Sequence, residues 1–160
     1  MNTVQKQASF KEQLSFGEEG EHEVAQWLIT KGVSVLPLYQ FNPENTPCIY
    51  HMQGKTTSPD LVCFKNDSFM VEVKTKNQWV RFGDRIETGL NLKHYKHYEK
   101  IELLTNKKVY VFFNHKVERP TGFYFVPLKA YTREWDGKVN GNVVYDKMIF
   151  YNINVLKKLL

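Results

Sequence analysis

Pro59-Asp60-Leu61-Val62-Cys63-Phe64-Lys65-Asn66-Asp67-Ser68-Phe69-Met70-Val71-Glu72-Val73-Lys74-Thr75-Lys76 is the stretch from which the architecture of this chain can be read. Asp60 opens a short apolar run, a polar turn follows at Lys65-Asn66-Asp67-Ser68, and a second apolar run from Phe69 carries Glu72 and Lys74. Two such runs around a polar turn predict a β-hairpin. Side chains alternate along a strand, so Glu72 and Lys74 share one face while Val71, Val73 and Thr75 share the other. For Asp60 to stand beside Glu72 and Lys74, the hairpin register must pair it with an even-numbered residue. The runs 61–64 and 69–71 are continuously apolar, as in strands covered on both faces. Ionised groups in such strands are costly unless paired or bound to metal.

An Asp, a Glu and a Lys gathered at one place suit phosphodiester hydrolysis. Mg²⁺ is held by one or two carboxylates, waters and the substrate phosphate, and a nearby Lys can position the attacking water. Pro59-Asp60, eleven intervening residues, then Glu72-Val73-Lys74 resemble the motif of the PD-(D/E)XK nuclease superfamily. The resemblance implies an α/β, restriction-endonuclease-like fold with an αβββαβ core, a mixed sheet flanked by helices. It implies that Asp60 and Glu72 bind metal together with the Val73 carbonyl, and that Lys74 assists the nucleophilic water. Mg²⁺ is the cofactor so implied, with Mn²⁺ as a substitute, and DNA is the substrate. A catalytically silent nucleic-acid-binding module on the same fold is the alternative. A third reading is a surface hairpin whose charges only keep a strand soluble.

Upstream, Ser15-Phe16-Gly17-Glu18-Glu19-Gly20-Glu21-His22-Glu23-Val24-Ala25-Gln26-Trp27-Leu28-Ile29-Thr30-Lys31-Gly32 predicts a helix of about four turns. Ser15 and Glu18 stand in capping-box spacing and Gly32 marks the stop. Glu21, Val24, Ala25 and Leu28 fall at i, i+3, i+4 and i+7, which turns Glu21 toward the apolar face. The pattern of Gly17, Gly20-Glu21, Val24-Ala25, Leu28 and Gly32 resembles the first helix of the resolvase-like branch of that superfamily. Glu21 is thereby implied as an additional metal-site acid and catalytic residue, with Glu18 as the second candidate. Glu18 also suits a helix N-terminus, and Glu19 and Glu23 read as a solvated face. Gly17 and Gly20 are unfavourable within a helix, by about 1 kcal/mol each relative to Ala, so a close approach by another element is expected there.

At 160 residues the chain has the size of a single domain, 1–160, with residues 1–12 as a mobile leader or helical extension. The sequence holds 11 Phe, 9 Tyr and 3 Trp for a core, and no long apolar run or charged-then-apolar leader indicates membrane insertion or secretion. Cys48 and Cys63 form no disulfide framework, which fits an intracellular compartment. With 22 Lys and Arg against 17 Asp and Glu the net charge is +5. Because several acids are assigned to one site, the remaining surface is more basic, which favours a polyanionic partner. Short nucleases of this type resemble those of phage and mobile elements. Cutting both strands of a duplex would take two sites and hence a homodimer.

Further along, strands are expected at 33–38, 109–114, 122–127 and 148–153, a helix at 91–105, a short helix at 128–133 and a turn at 155–160. Residues 39–58 read as a polar loop and Gly83-Asp84 as a turn. The segment after the motif mixes cations with an aromatic, so Lys76, Trp79, Arg81 and Arg85 are candidate nucleic-acid contacts. Lys93, Tyr95 and Lys96 join them on the following helix. By resemblance, a helix at this position carries polar residues that approach the active site, and Tyr95 and Lys96 are the ones so implied. Tyr98, Ile101 and Thr105 lie at core spacing.

Cys48-x-x-His51 and His94-x-x-His97 could in principle form a zinc site, although two pairs so far apart match no structural pattern in order or spacing. The sequence has no Gly-rich phosphate loop, no Gly-x-Ser-x-Gly elbow and no dinucleotide fingerprint, so ATP-driven, serine-hydrolase and NAD-dependent chemistries find no support.

Overall fold

A computed structural model describes residues 18–38, 47–143 and 145–159. The expected leader at 1–12, the Ser15 cap, Gly17 and the first part of the 39–58 loop lie outside the described residues.

Helix α1 spans residues 18–30. It buries Val24, Ala25 and Leu28 of the stripe that the sequence pattern sets inward, with Glu21 of that stripe half-buried and Gly20 beside it buried. It ends where Gly32 takes a positive φ of 74°, with the Lys31 amide donating to the Leu28 carbonyl at 3.0 Å. Strand β1 (Ser34–Pro37) follows, then β2 (Cys48–His51) and β3 (Gly54–Thr57). The hairpin of the motif is β4 (Leu61–Phe64) and β5 (Ser68–Lys76). A second hairpin, β6 (Val80–Phe82) and β7 (Arg85–Asn91), turns at Gly83-Asp84 as expected and leads into helix α2 (Leu92–Thr105). Asn91 caps α2 by accepting from the Lys93 amide at 2.8 Å. Next come β8 (Val109–His115), β9 (Gly122–Pro127), a 3₁₀ turn at Leu128–Ala130, and β10 (Arg133–Trp135). The small ribbon β11 (Lys138–Val139) and β12 (Asn142–Val143), then β13 (Met148–Asn152) and β14 (Lys157–Lys158), complete the chain.

Six of these strands form a mixed sheet in the order β1-β4-β5-β8-β9-β14. Only β5 and β8 run parallel, joined by the crossover that contains α2, and every other pair is antiparallel. β5 is central, which explains its continuous apolar character. Its odd-numbered residues Val71 and Val73 pack with Val24, Ala25 and Leu28 of α1 and with Phe112. On the opposite face Met70 joins Val109, Val111 and Phe113, covered by Tyr95, Tyr98 and Ile101 of α2 and by Leu90, Ile149 and Tyr151. Those last three residues belong to a four-stranded antiparallel sheet, β10-β13-β7-β6. The protein therefore has the expected α/β architecture, a mixed sheet flanked by helices, with a second sheet beside α2.

The structure departs from the sequence reading in several places. The helix expected at 128–133 is only the 3₁₀ turn at Leu128–Ala130, because the chain turns extended and Arg133–Trp135 pairs with β13. The strands β6, β7 and β10 of the second sheet and the β11–β12 ribbon are not among the expected elements. The 39–58 stretch is not all loop, because β2 and β3 pair from Cys48↔Thr57 to His51↔Gly54. Gly54, at φ 126°, supplies backbone that other residues rarely adopt at the turn. The C-terminal turn includes a short strand, β14, which pairs with β9.

Candidate functional site

Register is what brings the charged residues together. β4 and β5 pair Leu61 with Val71, Val62 with Met70 and Cys63 with Phe69, so one step beyond the ladder Asp60 stands opposite Glu72. This is the even-numbered pairing that the motif requires. Asp60 bends its carboxylate across the gap, where Oδ2 accepts the Val73 amide at 2.7 Å. Its own carbonyl accepts from Leu38 at 2.9 Å, which fixes the strand end against β1.

Glu72 is 2% exposed and forms an ion pair with Lys74 through Oε1. Oε2 of the same carboxylate is buried and has no hydrogen-bond partner. Leaving a charged oxygen so placed is expensive, and a cation is one way to satisfy it. The electrostatics tie four groups into one cluster. Burial, then the Glu72 carboxylate, pushes the Glu21 carboxyl up to about 7, with Lys74 opposing and Glu18 adding a little. Asp60 is raised well above the usual carboxylate range by burial and by Glu72, offset in part by Lys74 and by the Val73 amide. Burial alone would depress the Lys74 ammonium, yet Glu72 and Asp60 outweigh it and hold its pKa above the ordinary lysine value. Lys74 is therefore a fixed positive charge.

α1 can approach this close because of Gly20. A Cβ there would fall on the Oγ1 of Thr75 in β5, so the position next to Glu21 admits no side chain. The close approach expected from the glycine pattern is thus made to the motif strand itself. Glu23, expected on a solvated face, accepts from Asn114 Nδ2 at 2.6 Å and from Lys116 Nζ at 3.1 Å and ties α1 to β8.

From α2, the residues facing the cluster are one turn away from expectation. Tyr98 lies against the carboxylates: its hydroxyl is driven far up by burial and then by Glu72, Asp60 and Glu21. His94, 3.4 Å from the Tyr98 hydroxyl, is depressed by burial and then by Lys74. Tyr95 is instead buried away from the site, where it donates to Glu99 at 3.2 Å and packs edge-on against Tyr131. Lys96 is exposed and pairs with Glu99 at 3.1 Å. The core spacing of Tyr98 had indicated burial, and only the carboxylates across the sheet give it a second role.

The segment after the motif also divides. Lys76 is half-buried, lowered to about 8 by burial and by Lys74. Trp79, expected as a stacking platform, is 5% exposed: it lies flat on His115 at 3.6 Å between ring centroids, with its indole N–H on the Pro120 carbonyl. It is a core residue and offers no face to a base. Arg81 is exposed and held by Glu118 at 2.9 Å, and Arg85 and Lys93 are exposed. The residues of the zinc alternative are engaged elsewhere, with His51 accepting from the Gln53 amide and His97 bonding Thr56, and among the described residues no three His, Cys, Asp or Glu side chains form a metal-binding group.

That last observation bears on Asp60, Glu72 and Glu21 as well, which do not make a ready-made cage. Mg²⁺ does not need one, since it keeps several waters and takes one or two carboxylates with the substrate phosphate. The unpartnered Glu72 oxygen beside Asp60 fits such a cation.

No protein-family model matches this chain, and no curated protein matches it significantly by sequence. Among solved structures it is similar to Hjc, a Holliday junction resolvase from the archaeal hyperthermophile Archaeoglobus fulgidus. The TM-score is 0.55 at 16% identity, over 87% of this chain and 85% of that one. The fold is accordingly the resolvase, restriction-endonuclease-like one that the motif implies.

Proposed function

We propose that this protein is a Mg²⁺-dependent nuclease that hydrolyses DNA phosphodiester bonds. The observation that carries the reading is the buried, unpartnered Oε2 of Glu72 within a cluster of Asp60, Glu21 and Lys74, on a fold shared with a Holliday junction resolvase. Asp60 and Glu72 would hold the cation together with the Val73 carbonyl, and Glu21 would complete or second that shell. When bound, the cation supplies Lewis acidity at the phosphate and lowers the pKa of water, with Mn²⁺ able to substitute.

The chain's own groups divide the remaining work. Lys74 stays protonated, so it acts as a donor that orients the attacking water and offsets charge on phosphorus; it is no general base at neutral pH. Glu21 is held near 7 by burial and by the Glu72 charge in the metal-free protein, a repulsion that a bound cation would relieve. Tyr98 is buried and stands close enough to Glu72 for that carboxylate to help hold its hydroxyl protonated. Lys76, Arg81, Arg85, Lys93 and Lys96 are charged residues that could contact the DNA backbone. A homodimer would place two such sites on one duplex.

Cleavage of plasmid and branched oligonucleotide substrates with Mg²⁺ or Mn²⁺ tests the proposal. Asp60→Ala, Glu72→Ala and Lys74→Ala should each abolish cleavage with the fold retained; undiminished cleavage in all three removes the assignment. The ion pair between Glu72 and Lys74 favours a second reading, a nucleic-acid-binding module without chemistry. Calorimetric titration with Mg²⁺ separates the two, because only the nuclease requires binding that Glu72→Ala eliminates.

A further inference from the structure

α2, the β2–β3 hairpin and the link into β13 line a cleft of about 830 Å³. Its walls carry Lys93, Lys96 and Lys100 of α2, Lys55 of β3 and Lys147 of the link, against one carboxylate, Asp146. Lys93, Lys96, His97 and Lys100 recur at i, i+3, i+4 and i+7, so they form one stripe. The hairpin is pinned to this stripe where Thr56 Oγ1 meets His97 Nδ1 at 3.0 Å, and the link where the Leu92 amide donates to the Lys147 carbonyl at 2.8 Å. Lys96 has Glu99 as partner, whereas Lys55, Lys93, Lys100 and Lys147 face no acidic side chain within ion-pair distance among the described residues. Holding four such ammonium groups around one concave surface costs free energy that a polyanion would recover.

The cleft shares Asn91 and Asp146 with a second pocket of about 370 Å³. This one is aromatic, walled by Trp135, Tyr145 and Phe150, with Gln78 and Thr88 as polar groups and Lys76 lining it from the motif strand. Gly89 leaves it open: a Cβ there would sit 2.8 Å from the Phe150 ring. A phosphate-binding trough that runs into an aromatic pocket is of little use to a duplex, whose stacked bases present no ring face. It suits a strand whose bases are free to stack on protein.

We propose that cleft and pocket together bind an unpaired strand of nucleic acid, its phosphates along Lys55, Lys93, Lys100 and Lys147 and one base against Trp135 and Tyr145. The inference rests on the nuclease reading only in supposing that the strand then passes Lys76 to the carboxylates. The substrate class that follows is DNA with a single-stranded element beside the scissile phosphate.

Fluorescence anisotropy in EDTA, with the full chain and a labelled single strand or its blunt duplex over a salt series, tests this without cleavage. The strand should bind more tightly than the duplex. Lys55→Gln/Lys100→Gln/Lys147→Gln should flatten the log-log salt slope for the strand by about two, at roughly 0.7 per lost phosphate contact. Trp135→Ala should weaken strand binding by about tenfold or more with the slope unchanged, and Trp135→Phe should restore it. All these positions are exposed or half-buried, and melting temperature checks each variant's fold. Duplex bound as tightly as strand, an unchanged slope in the triple variant, or an indifferent Trp135→Ala overturns the proposal. Normal strand binding by a protein that cleaves nothing with any divalent ion would sustain it while removing the nuclease.

Discussion

Gly20→Ala is the substitution that most directly probes how the acid from α1 is delivered to the motif strand. Within a helix the change should stabilise by at most roughly 1 kcal/mol. Here the new methyl falls on the Thr75 Oγ1, with the Thr75 Cβ only 3.1 Å away. Thr75 is β-branched and stiff at χ1, so it cannot swing clear, and relief must come from α1 lifting off β5. Overpacking of this kind costs roughly 1–3 kcal/mol, leaving a net loss of up to about 2 kcal/mol once helix propensity is credited. Thr75→Ala removes the colliding oxygen, which is buried and makes no hydrogen bond, so that change alone should cost little. In its background Gly20→Ala should become neutral or mildly stabilising, a coupling energy of about 2 kcal/mol. Urea unfolding followed by tryptophan fluorescence measures all four corners, with Trp27 on α1 packed against Phe112 and Phe123 as a local reporter. Additive effects would mean that α1 does not rest on Thr75 and that Glu21 is not held where the cluster needs it.

Other consequences can be read from single groups. Asp60→Asn keeps an oxygen for the Val73 amide while removing a carboxylate crowded by Glu72, so the metal-free protein should be as stable or more so. Glu72→Gln strips Lys74 of its partner and should lower stability by about 1–2 kcal/mol. Mg²⁺ should raise the melting temperature of the unmutated protein and of neither variant, and a rise retained in either would argue against that carboxylate as a ligand. Glu21 ionises near 4.5 when unfolded but near 7 when folded, so its stabilising contribution is complete below pH 4.5 and is lost as pH climbs through 7. Allowing for partial exposure, the difference in unfolding free energy between the unmutated protein and Glu21→Gln should change by on the order of 1–2 kcal/mol over that interval in EDTA. A pH-independent difference would place Glu21 outside the cluster. Arg133 donates twice to the fully buried Glu87, at 2.6 and 3.1 Å, between the rings of Phe82 and Phe150. Arg133→Ala should therefore cost about 3–5 kcal/mol by thermal or chemical unfolding, much of it recovered by adding Glu87→Gln.

What could be read in advance follows from the range over which each signal acts. Apolar runs, a polar turn and period-two alternation are local, and they suffice for β4, β5 and the face shared by Glu72 and Lys74. The stripe of Val24, Ala25 and Leu28 with Gly32 at its end is equally local, as is the Asn91 cap of α2. Signals fail where a residue's role depends on what lies across the fold. Trp79 in a stretch rich in Lys and Arg has the composition of a nucleic-acid contact, but β8 brings His115 flat against its ring, and nothing within reach of Trp79 in sequence encodes that. Tyr95 and Tyr98 differ by three residues and are both buried; which of them meets the carboxylates depends on how α2 is rotated against β5. That rotation is fixed by Ile101 and by Leu90, Ile149 and Tyr151 of the second sheet.

The second sheet was the least legible part, because β7 pairs with β13 across most of the remaining chain and strand composition does not specify a partner. The β2–β3 hairpin lacks a local signal for a different reason. Its turn, Met52-Gln53, lacks the Asn-Gly or Asp-Gly chemistry of tight hairpins, and its strands are too polar to stand out from loop. Thr56 is nonetheless buried against His97, so the hairpin is held by α2 more than by its own sequence. The hairpin walls the lysine cleft and the second sheet walls its aromatic neighbour, whereas the carboxylate cluster stands on the elements with local signals. The division has a physical cause: ionised groups inside a buried strand contradict their apolar surroundings and can be noticed one residue at a time, whereas a concave surface exists only after distant segments have been brought together.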